Sequence, residues 1–277
     1  MVGGAELTAP ACRALRILAS LRHDGGMTPL ETLAPIFAPV VDLIYPPRCP
    51  LCGEALAAQQ GLCVACWSEL AFPGEPACAK CQRPFGDSIA VGSICVPCLA
   101  APPLHDGIAA ATLYNDPSRR LVLAFKHGRR IGLAPLLARL MTPRLPEMDE
   151  SWLVVPVPLH RGRLWRRGFN QAALLAREIA RSRGATLVVD CLERRKPTPV
   201  LGGLGRKARA RALSGALAVN PARKAAIKGA KIVLVDDVLT SGATSNACVA
   251  ALKRAGAAKV VIACFARVLD EALDAAA

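Results

Sequence analysis

Four aliphatic β-formers, Ile232-Val233-Leu234-Val235, run without a break into two adjacent carboxylates, Asp236 and Asp237, and then into Val238-Leu239-Thr240-Ser241-Gly242-Ala243-Thr244. A strand of this composition is buried on both faces, which places it inside a parallel sheet covered by helices. Its carboxyl end is where open α/β sheets gather their ligands. Adjacent carboxylates repel unless hydrogen-bond donors or a cation lie between them, and the cis hydroxyls of a ribose together with Mg2+ supply both. The turn at 240–244 leads straight into a helical pattern, and Gly242 allows close backbone approach. Free N–H groups, the helix dipole and the hydroxyls of Thr240, Ser241 and Thr244 would together hold a phosphate. The plainer alternative is a strand followed by a capped helix, with Asp237 and Thr240 as ordinary capping residues.

The surroundings fit such a sheet. From residue 107 onward, strand patterns at 108–114, 152–157, 186–191, 231–235 and 259–265 alternate with helical patterns near 131–141 and over 171–182 and 243–254. This alternation predicts an α/β domain over 107–270 with a mostly parallel sheet and helices on both faces. The chain has 277 residues, 53% of them hydrophobic, enough for one full-sized core and one small additional module.

That module announces itself by cysteine spacing. Eight of the 12 cysteines fall in CxxC pairs, Cys49/Cys52, Cys63/Cys66, Cys78/Cys81 and Cys95/Cys98. Two intervening residues let one tight turn present both sulfurs to one tetrahedral ion, and two such turns complete a four-thiolate site that leaves no position open for water. Two structural zinc ions over residues 48–101 are expected. Pairing in sequence order is simplest, although a crossed arrangement also satisfies the spacing. A single zinc, a redox dithiol or an iron–sulfur cluster are the alternatives the cysteines leave open. The module has too little core to fold unaided. Cys12, Cys191, Cys248 and Cys264 lack partners at ligand spacing and read as core or surface thiols. Upstream, residues 27–47 suggest a short apolar helix (Leu30, Leu33, Ile36, Phe37, Val40, Val41) ended by Pro46 and Pro47. Residues 1–26 form an N-terminal extension of no assigned function, with Met27 an alternative start.

The formal charge is +14, and the excess is concentrated between residues 161 and 231, where the only acids are Glu178, Asp190 and Glu193. The partner this implies is polyanionic, either a phosphate-rich small molecule or nucleic acid; the bland reading is a solvated basic surface. Aromatic residues make up only 4% of the chain, so platforms for stacking bases are scarce. Trp165 and Phe169, amid Arg163, Arg166 and Arg167, are the best pair available, unless they are core. No apolar run is long enough to span a bilayer, and the apolar stretch at 15–21 is interrupted by Arg16 with no cleavage pattern after it, so a cytoplasmic chain without membrane insertion is expected. His105, His127 and His160 stand isolated and read as structural.

The segment 232–244 resembles the motif by which type I phosphoribosyltransferases bind 5-phosphoribosyl-1-pyrophosphate (PRPP). The resemblance implies a type I phosphoribosyltransferase-like fold, with Asp236 and Asp237 on the ribose hydroxyls, Thr240, Ser241, Gly242, Ala243 and Thr244 around the 5-phosphate, and Mg2+ accompanying PRPP. Three further stretches resemble the ComF family, which joins a double zinc ribbon to this fold and is associated with natural competence and DNA uptake. They are Tyr114-Asn-Asp-Pro-Ser-Arg119-Arg120 leading to Phe125-Lys126-His127-Gly128, then Val155-Pro156-Val157-Pro158 followed by Arg161, Arg163 and Arg167-Gly168-Phe169-Asn170-Gln171, and finally Ala266-Arg267. Departure of pyrophosphate builds negative charge that fixed cations stabilise, which makes Lys126, Arg161 and Arg167 candidates on the pyrophosphate side. Asn170 and Gln171 could equally cap a helix. The sequence departs from the family in the segment that would close over substrate, where Leu201 replaces an expected Gln and Ala212 an expected Asn.

Two functions follow from the resemblance. One is transfer of a phosphoribosyl group from PRPP to an unknown acceptor. The other is a non-catalytic, PRPP-responsive protein of the DNA-uptake machinery that binds single-stranded DNA or regulates its partners. Fold-level analogy adds a homodimer. If module and sheet are separate domains, changing Cys63 unfolds the first and spares the ribose-phosphate site.

Overall fold

The computed structural model describes residues 46–86, 88–127, 130–195 and 215–269. The helix expected over 27–47, the closing segment with Leu201 and Ala212, and Cys12 lie outside the described residues, apart from Pro46 and Pro47. From Pro47 onward the chain forms one compact unit.

A five-stranded sheet lies at its centre, with β1 (Ile108–Leu113), β2 (Trp152–Pro156), β3 (Thr186–Leu187), β6 (Lys231–Leu239) and β7 (Lys259–Arg267) in the order β1-β7-β6-β2-β3. Every neighbouring pair is parallel. Strand β6 is central, and Ile232, Val233, Leu234 and Val235 are fully buried, as a strand packed on both faces requires. Alternate residues feed two separate cores. Val233 and Val235 face the helices α3 (Asp116–His127), α4 (Ala134–Met141) and α6 (Gln171–Arg183), while Ile232 and Leu234 face α8 (Ala243–Arg254). A second sheet pairs β4 (Leu192–Arg194) antiparallel to β5 (Leu217–Val219), and the short helix α7 (Lys224–Ile227) leads back into β6.

Among the helices not expected from the sequence, two lie beside the acid pair and the basic run. Helix α3 opens on Asn115, whose side chain accepts from the Ser118 N–H while the Ser118 hydroxyl accepts from the Asn115 N–H, a reciprocal cap that fixes the first turn despite Pro117. Its apolar residues Leu121, Val122 and Phe125 lie on the buried face. Helix α5 (Arg161–Arg167) buries no residue at all, so no apolar period could mark it. Strand β3 is only two residues long where six were expected, because the chain turns away after Val188 donates to the Val154 carbonyl.

The cysteine module contributes two short helices, α1 (Val64–Ser68) and α2 (Val96–Ala100). It does not stand apart from the sheet. Its first half shares the buried cluster of α3, α4 and α6 through Cys49, Leu51, Cys63, Cys66 and Leu70, and its second half shares the α8 cluster through Cys78, Cys81 and Cys95. The module thus straddles the β1 edge, one half on each face, and gains from the sheet the core it lacks alone.

Candidate functional site

The carboxyl ends of β2, β6 and β7 converge on one edge of the sheet. Asp236 and Asp237 come from β6, which runs two residues beyond them. The pair is held by its own backbone, as Asp236 Oδ1 accepts from the Asp237 N–H at 2.9 Å and Asp237 Oδ1 from the Val238 N–H at 2.8 Å. Ser245 donates to Asp236 Oδ2 at 3.4 Å. Lys126, at the end of α3, places Nζ 3.1 Å from Asp237 Oδ2. Burial, then the neighbouring Asp237 charge, pushes the Asp236 carboxyl up to about 7, against the pull of Lys126. Asp236 is thus disposed to hold a proton, and Lys126 is the cation paired with Asp237.

Beyond β6 the chain turns through Thr240 and Ser241 to Gly242, which has φ +70° and serves as the N-cap of α8. No side chain caps this helix, so its first N–H groups remain directed into the turn. Thr240, Ser241, Gly242 and Ala243 line a cleft of about 510 Å³ together with Cys81, Cys95, Cys98 and Arg267. His105 also lines it; burial first, then the Arg267 charge, lowers its imidazole to about 4, so it is neutral, and Nδ1 accepts from the Gly107 N–H at 3.3 Å. Thr244 is half-buried and does not line this cleft.

The basic residues singled out from the sequence do not all meet here. Lys126 joins the acid pair. Arg161 lines a different cleft of about 570 Å³ with His160, Arg194 and Arg195. Arg167 donates to Gln171 Oε1 at 2.8 Å, and Gly168, at φ +83°, ends α5. Asn170 proves to be the N-cap of α6, accepting from the Ala172 N–H at 3.0 Å and donating to the Val157 carbonyl at 3.1 Å. Phe169 packs 6.3 Å from Phe125, whereas Trp165 is 89% exposed, so the two aromatics do not form a pair. His160 caps α5 through the Gly162 N–H. Two cations were missed: Arg194 on β4, within electrostatic reach of Arg163 and Asp236, and Arg267, whose Nη1 donates to the Cys81 carbonyl. A basic run without spacing carries no signal for the first, and the second is indistinguishable in sequence from an ordinary strand end.

The cysteines assemble in sequence order. Cys49, Cys52, Cys63 and Cys66 form one group and Cys78, Cys81, Cys95 and Cys98 another, with the sulfurs of each within 4.8 Å of one another. A tetrahedron with metal–sulfur distances of about 2.3 Å sets sulfurs roughly 3.8 Å apart. The observed Cys52–Cys63 and Cys81–Cys95 separations of 3.5 and 3.7 Å fit it. Burial pushes the Cys49 and Cys78 thiols up, but backbone N–H groups aimed at their sulfurs prevail and hold both at about 6. Such thiols ionise readily and ligate metal. Cys191, Cys248 and Cys264 are buried core thiols instead, and burial pushes Cys191 up to about 11.

Comparison with known proteins agrees with this layout. Residues 40–99 match the family described as the double zinc ribbon domain. Residues 166–275 match the phosphoribosyl transferase domain. The sequence is 32% identical to DNA utilization protein YhgH of Salmonella typhi over 237 residues, covering 82% of this chain and 100% of that protein. It is 29% identical to competence protein F of Haemophilus influenzae over 228 residues, covering 79% and 96% of the two chains. Competence protein ComFC of Bacillus subtilis is 24% identical over 200 residues, 68% of this chain and 76% of its own length. No helix among the described residues is long and apolar enough to cross a membrane.

Proposed function

The chain belongs to the ComF family, in which a double zinc ribbon precedes a phosphoribosyl transferase domain, and from that premise we propose that it binds Mg-PRPP at the carboxyl edge of β6 and transfers the phosphoribosyl group to a nucleophilic acceptor. One observation carries the reading: two adjacent carboxylates near the carboxyl end of the central strand are followed, one short turn later, by a helix N-terminus with no side-chain cap at a left-handed glycine. Asp236 and Asp237 accept from the ribose 2- and 3-hydroxyls, and the N–H groups and hydroxyls of 240–244 hold the 5-phosphate. A ribose hydroxyl on Asp237 takes the place of Lys126, which then faces the leaving pyrophosphate. Arg194, within electrostatic reach of Asp236, supplies further positive charge, whereas Arg161 lines a different cleft and Arg167 is held by Gln171. The C1–oxygen bond to pyrophosphate breaks as the acceptor nucleophile bonds to C1 and gives its proton to solvent, and Mg2+ carried by PRPP would supply countercharge to the leaving pyrophosphate. This reading goes with a cytoplasmic protein.

The test is thermal unfolding with ligands. Mg-PRPP raises the melting temperature more than ribose 5-phosphate or Mg-pyrophosphate does alone, since only it fills both halves of the site. No shift with any of the three overturns the reading.

Trp165 supports a second reading. It stands exposed on α5 between Arg163 and Arg166, an arrangement that stacks a base while cations follow the backbone of single-stranded DNA. The names of the relatives, which speak of competence and DNA utilization, point the same way. Affinity for an oligonucleotide that falls steeply with salt, and falls further in Trp165→Ala, supports it; salt-independent or absent binding ends it.

A further inference from the structure

The two four-cysteine groups are equivalent in sequence but not in position. The first is tied to the α3 and α4 face. The Leu113 N–H donates to the Ala71 carbonyl at 2.7 Å, the Asn115 side chain to the Glu69 carbonyl at 2.8 Å, and Arg120 and Arg139 to the Leu51 and Gln60 carbonyls. Leu51 and Leu70 add buried side chains of its own. The second has far less support: α2 buries no residue, and within its ribbon only cysteines are fully buried, with Phe85 and Ile94 partly so. A turn held by so little apolar surface depends on its metal.

The second group shares a cleft with the 240–244 loop. Cys81, Cys95 and Cys98 line the 510 Å³ cleft together with Thr240–Ala243. The Cys81 carbonyl accepts from Arg267, which is 8% exposed. Arg267 lies opposite Leu239 in the β6–β7 register, and the Val268 N–H donates to the Leu239 carbonyl at 2.9 Å. Leu239 immediately precedes Thr240. The path from ligand cysteine to loop therefore runs through one guanidinium and one backbone pair.

We infer that the second four-cysteine group is part of the anion site: through Arg267 as positioning residue, metal in this group holds the 240–244 loop in its binding shape, and metal in the first group does not. The inference rests on the reading of 240–244 as the seat of a ribose phosphate. Loss of metal from the second group relaxes the Cys81 turn, releases Arg267 and opens the cleft shared with the loop. The chain then reports zinc supply, or thiol damage at one ribbon, as a change in PRPP affinity.

The test compares Cys98→Ser, a half-buried ligand of the second group, with Cys52→Ser, an exposed ligand of the first, by titrating each with Mg-PRPP after metal analysis. Cys52→Ser keeps affinity close to the parent protein. Cys98→Ser, with zinc lost from one group, weakens by about 10–100-fold, the range seen when outer-shell partners of a site are removed. Chelation of the parent weakens binding to the same extent, and zinc add-back restores it. Arg267→Met weakens binding while both zincs stay, and Arg267→Lys, which can still donate to the Cys81 carbonyl, recovers most of it; this pair decides the matter if Cys98→Ser does not fold. Equal affinity in Cys52→Ser and Cys98→Ser, or in Arg267→Met and the parent, overturns the inference alone. A parent protein that binds no Mg-PRPP overturns the reading of the site, and the inference with it.

Discussion

Lys126 Nζ lies 3.1 Å from Asp237 Oδ2, joining the last turn of α3 to the acid pair of β6. Both side chains are largely buried, at 25% and 11% exposure, so the pair is poorly screened by solvent. Removing the cation leaves Asp237 without its ion-pair partner beside a second buried carboxyl group. Lys126→Met is expected to lower stability by roughly 1.5–3 kcal/mol, the range for hydrogen bonds to charged groups. Urea unfolding measures it, and an unchanged midpoint contradicts the pairing.

Asp236 gives the fold a pH signature. Burial lifts its carboxyl from 3.8 to about 7, so across that interval the folded protein holds a proton that the unfolded chain has released. The stability this group contributes is full below the unfolded value and is lost as pH rises through the folded one. Asp236→Asn removes this fall, which denaturant midpoints between about pH 4 and pH 8 will show. Ligand binding runs the opposite way: a site that needs both carboxylates charged tightens as pH climbs toward and past 7.

Gly242 is required by conformation and by space. Its φ is +70°, and a Cβ placed there would lie 3.3 Å from the Asn246 side-chain nitrogen. The left-handed backbone costs a residue with a side chain about 1–2 kcal/mol. Gly242→Ala should therefore unfold at lower temperature and also lose affinity for inorganic phosphate, because relief of the strain moves the N–H groups that face the anion. Retention of parental phosphate affinity counts against the loop as the anion site.

Zinc should be measurable and should matter to the whole unit. Metal analysis is expected to find two ions per chain, as the two four-cysteine groups require. Because the module shares both buried clusters with the sheet, chelation should lower a single unfolding transition. A separate early transition that leaves the rest untouched would show the module to be an independent domain, the arrangement its sequence alone suggests.

The parts of this protein that could be read from sequence are those whose physics is local. Four aliphatic residues, two acids and a glycine-bearing turn specify a strand end and a helix start within thirteen neighbours, and the CxxC pairs specify their own geometry. Long-range placement was not legible. Trp165 and Phe169 are close in sequence yet separate, because α5 ends at Gly168 and turns Phe169 inward toward Phe125. Lys126, which the sequence points toward a pyrophosphate side, is found on Asp237, a contact set by how α3 lies against β6. The straddling of the β1 edge by the two ribbons likewise follows from alternate strand faces and not from any spacing of cysteines. Arg267 becomes informative only once β7 is seen beside Leu239.

The most direct measurement is calorimetric titration of Mg-PRPP into the parent protein and into a variant carrying both Asp236→Ala and Asp237→Ala, with zinc content matched. The account predicts saturable binding by the parent and none by the variant. Equal binding by both, or none by either, contradicts it.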